Sequence, residues 1–295
     1  MSSRPVYTLL MGGLGNQMFQ YAVARAVAIR ADGEVRLDTS LLDAMHPDLT
    51  PRTFGLGGFE VSATIATRTQ AENFTTRAGV RGLVRRVGDR IRPLHLRRVI
   101  YEQDPAFDPH LLRARPPVYL SGFWQSEKYF TDVAHTIRSD FRLRQALSPP
   151  AEQYLAEIRS CDSVSVHVRR GDYAHTKALA VHGLLPSTYY GDAFNRLSQT
   201  GKDLTAFVFS DEIEWAKENI KLGAHTRFVD LGSGSEHAEI FLMAACNHHV
   251  ISNSTFGWWG AWIGEREGTR IVAPRLWLAD ASKKMDIIPE RWMRA

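Results

Sequence analysis

A succession of short β-type apolar runs separated by helical stretches constrains this chain more than any other feature. In the second half the runs fall at 163–168, 204–209, 227–231, 249–252 and 270–273. Between them lie segments of helical spacing, among them Tyr189–Leu197, Ile213–Asn219 and Glu236–Cys246. Strands alternating with helices predict a parallel sheet covered on both faces. The first forty residues repeat the scheme as a βαβ unit: strand Val6–Met11, turn Gly12-Gly13-Leu14-Gly15, helix Asn16–Ala31 and strand Val35–Asp38. Val118–Leu120 gives a further short strand, followed by a helical stretch from Glu127 to about Ser139. At 295 residues the chain fits two packed domains. Leu147-Ser148-Pro149-Pro150 reads as the linker, so the expectation is an N-terminal α/β domain over 1–148 and a Rossmann-type domain over 149–295. A ligand cleft is expected between them. Residues 44–115 carry only weak periodicity.

The 44% hydrophobic and 23% charged fractions are those of a soluble globular protein, and no apolar run approaches a membrane span. Met1 to Met11 reads as a first core strand and not as a signal peptide. Cys161 and Cys246 give neither a disulfide framework nor zinc-site spacing, which fits a cytoplasmic setting. The stretch Arg77–Arg98 holds eight arginines against the single acidic residue Asp89. A solvated helix face accounts for it, and contact with an anionic membrane surface at the inner face is the functional alternative. No nucleic-acid-binding module or interleaved aromatic pattern accompanies the patch, so nucleic acid is not an expected partner.

Four loops carry the polar residues that a core does not need. Gly12-Gly13-Leu14-Gly15-Asn16-Gln17 joins a strand to a helix, where glycines admit close backbone approach and a helix N-terminus attracts negative charge. It lacks the Lys-Ser/Thr pair of a P-loop, and Met18 replaces the third glycine of a dinucleotide fingerprint. Asn16 and Gln17 suit sugar hydroxyls. The second loop is His167-Val168-Arg169-Arg170-Gly171-Asp172, after a strand end. A guanidinium keeps its charge, and its planar donor fork matches phosphate oxygens. The simpler reading of the arginines is a surface pair held by Asp172. The third loop, Ser210-Asp211-Glu212, offers either a helix cap or ligand contacts. The fourth, Ser252-Asn253-Ser254-Thr255-Phe256, opens a helix containing Trp258, Trp259 and Trp262. One residue caps that helix, which leaves the other polar groups to phosphate or ribose, while the tryptophans read as core.

Together the blocks 12–22, 122–130, 167–173, 209–212 and 253–262 resemble the α-1,2-fucosyltransferase family, glycosyltransferase family 11. The resemblance implies a GT-B-like fold and transfer of L-fucose, with inversion, from GDP-β-L-fucose to the 2-hydroxyl of a terminal galactoside. It also implies no cofactor and no obligatory metal. Carried over residue by residue, it puts Arg169 on the donor β-phosphate with Arg170 assisting. His167 falls near the nucleoside, and Glu239 pairs with guanine. Ser210, Asp211, Asn253, Ser254, Thr255 and Phe256 complete the donor set. Gly13, Gly15, Asn16, Gln17, Trp124 and Gln125 form a sugar-facing loop set. Gly257 stands where a serine is expected in many relatives.

No Asp-x-Asp pair is present to hold a divalent ion, so Arg169 and Arg170 are the candidates for stabilising charge on the leaving diphosphate. The catalytic base is left open among Asp172, His167 and His175, with Asp172 equally suited to holding the arginines. Two other classes compete with this reading. An NAD-dependent oxidoreductase is suggested only by the Gly13-Leu14-Gly15 turn, and Met18 in place of a glycine and Thr39 next to Asp38 without other dinucleotide features argue against it. A non-catalytic glycan- or nucleotide-binding relative would not need both arginines.

Overall fold

The computed structural model describes residues 4–43, 52–75, 92–171, 183–198, 203–223, 225–280, 282 and 284–295. The chain divides into two compact units, Met1–Arg142 with Met285–Ile287, and Leu143–Lys284 with Ile288–Ala295. The Pro149-Pro150 tract is no linker. It opens the helix Pro149–Arg159 with Ser148 at the cap position, because proline's fixed φ and missing N–H suit a first helical turn. Among the described residues no helix is long and apolar enough to cross a membrane.

The first unit is built on β1 (Pro5–Leu9), β2 (Glu34–Asp38), β3 (Ala63–Ile65), β4 (Val99–Tyr101) and β5 (Val118–Ser121). All are parallel, in the order β3-β2-β1-β5-β4. The helix Leu14–Arg30 buries most of its circumference, including Met18, Phe19, Tyr21 and Val23, as a helix with apolar residues all round must. The order reverses between β1 and β5, so the Gly-rich turn and the loop after Ser121 flank one switch point. Open parallel sheets bind ligands at such points, outside the carboxyl ends of the strands. The weakly patterned stretch 44–115 holds β3, β4 and the helix Arg68–Thr75. Its strands have three residues each, too short for periodicity to register.

In the second unit β6 (Asp162–Val168), β7 (Leu204–Ser210), β8 (Thr226–Phe228), β9 (His248–Val250), β10 (Ile271–Ala273) and β11 (Met293–Arg294) form a parallel sheet. Its order is β8-β7-β6-β9-β10-β11, the Rossmann order with its switch point between β6 and β9. Strand β6 alternates faces with period two. Val164, Val166 and Val168 pack into the core with Tyr190, Phe194 and Leu197. Ser163, Ser165 and His167 occupy the other face, also buried, and each is matched by a polar partner. Ser163 Oγ donates to Asn247 Oδ1 at 2.9 Å, Ser165 Oγ shares a hydrogen bond with His249 Nδ1 at 2.7 Å, and His167 Nδ1 with Ser252 Oγ at 2.9 Å. This row of paired polar groups satisfies side chains that burial would otherwise penalise.

Candidate active site

At the switch point of the second sheet, β6 delivers Arg169 and Arg170, both half-buried. The partners that hold them come from the end of β7. Arg169 Nε lies 3.2 Å from Asp211 Oδ2, and Arg170 Nε lies 3.1 Å from Glu212 Oε2. The Arg170 amide donates to Asp211 Oδ1 at 3.0 Å, and its guanidinium stacks 3.7 Å from the Trp215 ring centre. Carboxylates and an aromatic face thus fix the planes of both forks. The sequence reading gave the holding role to Asp172. That residue, like His175, lies outside the described residues, and Asp211 and Glu212 were the missed partners. Their signal was available, because β7 pairs with β6 along its whole length and sets Ser210 opposite Val168.

Neither Ser210 nor Asp211 caps the following helix Ile213–Asn219. Glu212 occupies the cap position without a side-chain bond, and Ser210 Oγ accepts from the Glu212 amide at 3.1 Å.

Across the switch point, β9 runs into the helix Thr255–Gly264. Ser254 caps it, accepting from the Phe256 amide at 3.3 Å. Two polar groups expected to await a ligand are committed inside the unit: Ser252 to His167, and Asn253 Nδ2 to the Trp277 carbonyl at 3.3 Å. Thr255 and Phe256 are half-buried at the helix start, whose amide groups and dipole favour an anion. Trp258, Trp259 and Trp262 are core residues.

His167 is 4% exposed. Burial, followed by the adjacent Arg169 charge, pulls its pKa down to about 3, so the ring is neutral at neutral pH. It lies 5.6 Å from the Phe256 ring. A Cβ at position 257 would stand 2.6 Å from its Nδ1. Glycine at 257 is therefore required by the packing of His167 against the helix, and a serine there has no room in this arrangement.

Glu239 sits in the first turn of the helix Glu236–Ala245, half-buried, with Oε1 accepting from Ser235 Oγ at 3.0 Å. Burial raises its pKa; the Ser235 bond opposes this, and the acidic neighbours Glu236, Asp230 and Asp211 add to it.

The first unit arranges its loops differently. Gly13 is the cap position of its helix, and a Cβ there would meet nothing within 4 Å, which leaves room for close approach. Asn16 Oδ1 accepts from Gln125 Nε2 at 2.9 Å, joining the two loops at the switch point. Gln17, expected to meet sugar hydroxyls, is 1% exposed, and its amide is used up internally. It donates to the carbonyls of Gly12 and Thr53 at 3.1 and 2.9 Å and accepts from the Gly55 amide at 2.8 Å. Gly15 is likewise buried in the helix start. Trp124 is buried against Tyr129, their ring centres 6.0 Å apart. The side chains of Gln17 and Trp124 thus face the interior of their own unit, and Gly15 is buried beside them. The dinucleotide reading fails on the same grounds. Asp38 is buried, with one oxygen accepting from Tyr119 at 2.6 Å and the other from the Ser40 amide at 3.0 Å. The glycine missing at position 18 is a fully buried methionine. The arginine-rich stretch lies outside the described residues up to residue 91.

Two parallel-sheet α/β units, the second in Rossmann order with a cationic loop at its switch point, define a GT-B-like fold. A crystal structure of the NodZ alpha-1,6-fucosyltransferase soaked with GDP-fucose shares that fold, with a TM-score of 0.52 at 14% identity over 93% of this chain and 96% of that one. NodZ is a Bradyrhizobium protein. The family model described as Glycosyl transferase family 11 matches residues 103–295. The alpha-1,2-colitosyltransferase of Escherichia coli is 30% identical over 98% of both chains. A galactoside alpha-(1,2)-fucosyltransferase 1 from Saimiri sciureus is 31% identical over 50% of this chain and 43% of its own length. This chain belongs to glycosyl transferase family 11 and is a glycosyltransferase.

Proposed function

We propose that the protein transfers L-fucose, with inversion, from GDP-β-L-fucose to the 2-hydroxyl of a terminal galactoside, without a metal ion. The observation that carries this reading is the pair Arg169 and Arg170, oriented by Asp211 and Glu212 beside the capped N-terminus of the helix Thr255–Gly264. Cleavage of the sugar–phosphate bond leaves charge on the β-phosphate. A preorganised guanidinium and helix amides stabilise such charge by about 3 kcal/mol for each well-placed donor. Arg169 is the principal contact and Arg170 its aromatic-stacked support.

The Glu239 carboxylate provides acceptors for the N1 and N2 hydrogens of guanine. His167, neutral and buried, serves as a positioning residue that ties the arginine loop to Ser252. A ring whose pKa burial pulls down to about 3 is a poor proton acceptor, so the base role passes to Asp172 or to late proton loss from an oxocarbenium-like transition state.

A second reading, colitose in place of fucose, is favoured by a relative that matches end to end. Both readings share the α-1,2 linkage. Purified protein freed of metals with EDTA should convert GDP-fucose and a β-galactoside to an α-1,2-linked product. In calorimetry GDP should bind about 100-fold more tightly than UDP, with Glu239→Ala erasing the difference. Equal affinities in the unaltered protein would remove the guanine assignment. Activity that vanishes with EDTA and returns with Mn²⁺ would remove the arginine mechanism.

A further inference from the structure

The loop after β5 is held in one conformation by devices that folding alone does not require. Glu102, just past β4, is half-buried, and burial raises its pKa. Both of its carboxylate oxygens are spent on this loop: Oε2 accepts from the Phe123 amide at 2.7 Å and Oε1 from the Trp124 amide at 2.8 Å. Trp124 is kept at φ 55°, a left-handed conformation that bulky residues avoid. Gly122 is packed so closely that a Cβ there would lie 2.4 Å from Glu102 Cβ. Gln125 is tied to Asn16 of the Gly-rich turn.

The result of this arrangement is the position of a single side chain. Gly122 and Trp124 are buried, whereas Phe123 is 41% exposed at the carboxyl edge of the sheet. Tyr101, at the end of neighbouring β4, and Ile65, at the end of β3, are exposed on the same edge. A strained backbone clamped by a desolvated carboxylate marks a functional loop when it is found at a ligand-binding edge. The groups collected there are aromatic rings and amides, in contrast to the arginines of the second unit's switch point. That chemistry suits a neutral sugar, whose C–H face packs on an aromatic ring while its hydroxyls meet amide groups.

We infer that Phe123 is the stacking platform for the acceptor's terminal sugar ring, with Glu102 as the residue that positions it. The identity of that sugar as a galactoside rests on the function proposed above.

With lactose as acceptor and GDP-fucose saturating, Phe123→Ala should raise the acceptor KM by about ten-fold, a larger effect than on kcat, while Phe123→Trp keeps it near the starting value. GDP affinity measured by calorimetry should not move with either variant. Glu102→Gln presents an NH₂ to one of the two clamped amides and should raise the acceptor KM in the same way. An unchanged KM in Phe123→Ala, or a tryptophan variant as poor as the alanine one, overturns the inference. If the unaltered protein transfers no fucose to any galactoside, the function proposed above fails, and saturation-transfer NMR with a panel of neutral methyl hexopyranosides (galactoside, glucoside, mannoside and N-acetylglucosaminide) decides the platform separately. A signal that disappears in Phe123→Ala supports it. No signal in the unaltered protein overturns it.

Discussion

At the scale of single residues, the arginine pair shows how a site can be legible in kind before its supports are known. Two adjacent arginines at a strand end imply an anion, and they do lie at the switch point of the second sheet. Their carboxylate partners come from a loop 41 and 42 residues further on, which only strand pairing could reveal. Arg169→Lys tests the geometry. A lysine at this position keeps the charge but loses the planar fork that Asp211 orients, so kcat should fall by about 100-fold or more. Circular dichroism should show an unchanged fold, because the side chain lies at a loop and not within the core. Near-normal turnover would mean that point charge alone suffices at this position. Gly257 teaches the converse. As a sequence letter it reads as a lost hydroxyl; in the structure it is the space that His167 occupies.

At the scale of elements, the β/α alternation was readable because strands of five to seven residues and long helices give clear periods, as in β1, β6, β7 and the helix Leu14–Arg30. The three-residue strands β3 and β4, set in the weakly patterned stretch 44–115, do not. The positive φ at Trp124 was invisible as well, since nothing in the local residues favours it; it is imposed by Glu102, 22 residues earlier. Polar loops posed a different problem. A serine that caps a helix and a serine that meets a ligand look alike in sequence. Ser254 allows the two roles to be separated. Replacing a capping serine by alanine costs about 1 kcal/mol of stability, but replacing it by glycine costs only a few tenths. Ser254→Gly should therefore restore most of the stability lost in Ser254→Ala, as read by urea unfolding. If the hydroxyl also serves the nucleotide, GDP affinity will stay reduced in both variants. A full return of affinity in the glycine variant would confine Ser254 to its cap.

At the scale of the whole molecule, the polar row along β6 links architecture to pH response. His167 and His249 are both buried and neutral, with pKa values drawn down to about 3, first by desolvation and then by Arg169 and by Arg266 with His248, respectively. An unfolded histidine titrates near 6.5. Between those two values the unfolded chain binds two protons that the folded chain refuses, so falling pH shifts the equilibrium toward unfolding and stability rises with pH across the window. At pH 5 each ring should cost about 2 kcal/mol relative to pH 7, a large share of the roughly 5–15 kcal/mol that holds a domain folded. Glu102 and Glu239, whose raised pKa values act in the opposite sense, are common to any pair of proteins compared at His249. His249→Gln isolates one ring away from the proposed site, and its amide can still meet Ser165. Six of the seven tryptophans lie in the second unit, so fluorescence-detected urea unfolding reports chiefly on that unit. Between pH 7 and pH 5 the variant should lose about 2 kcal/mol less than the unaltered protein, even if it is less stable at pH 7. Equal losses in the two proteins would mean that His249 takes up its proton within the folded core, and that acid sensitivity arises elsewhere in the chain.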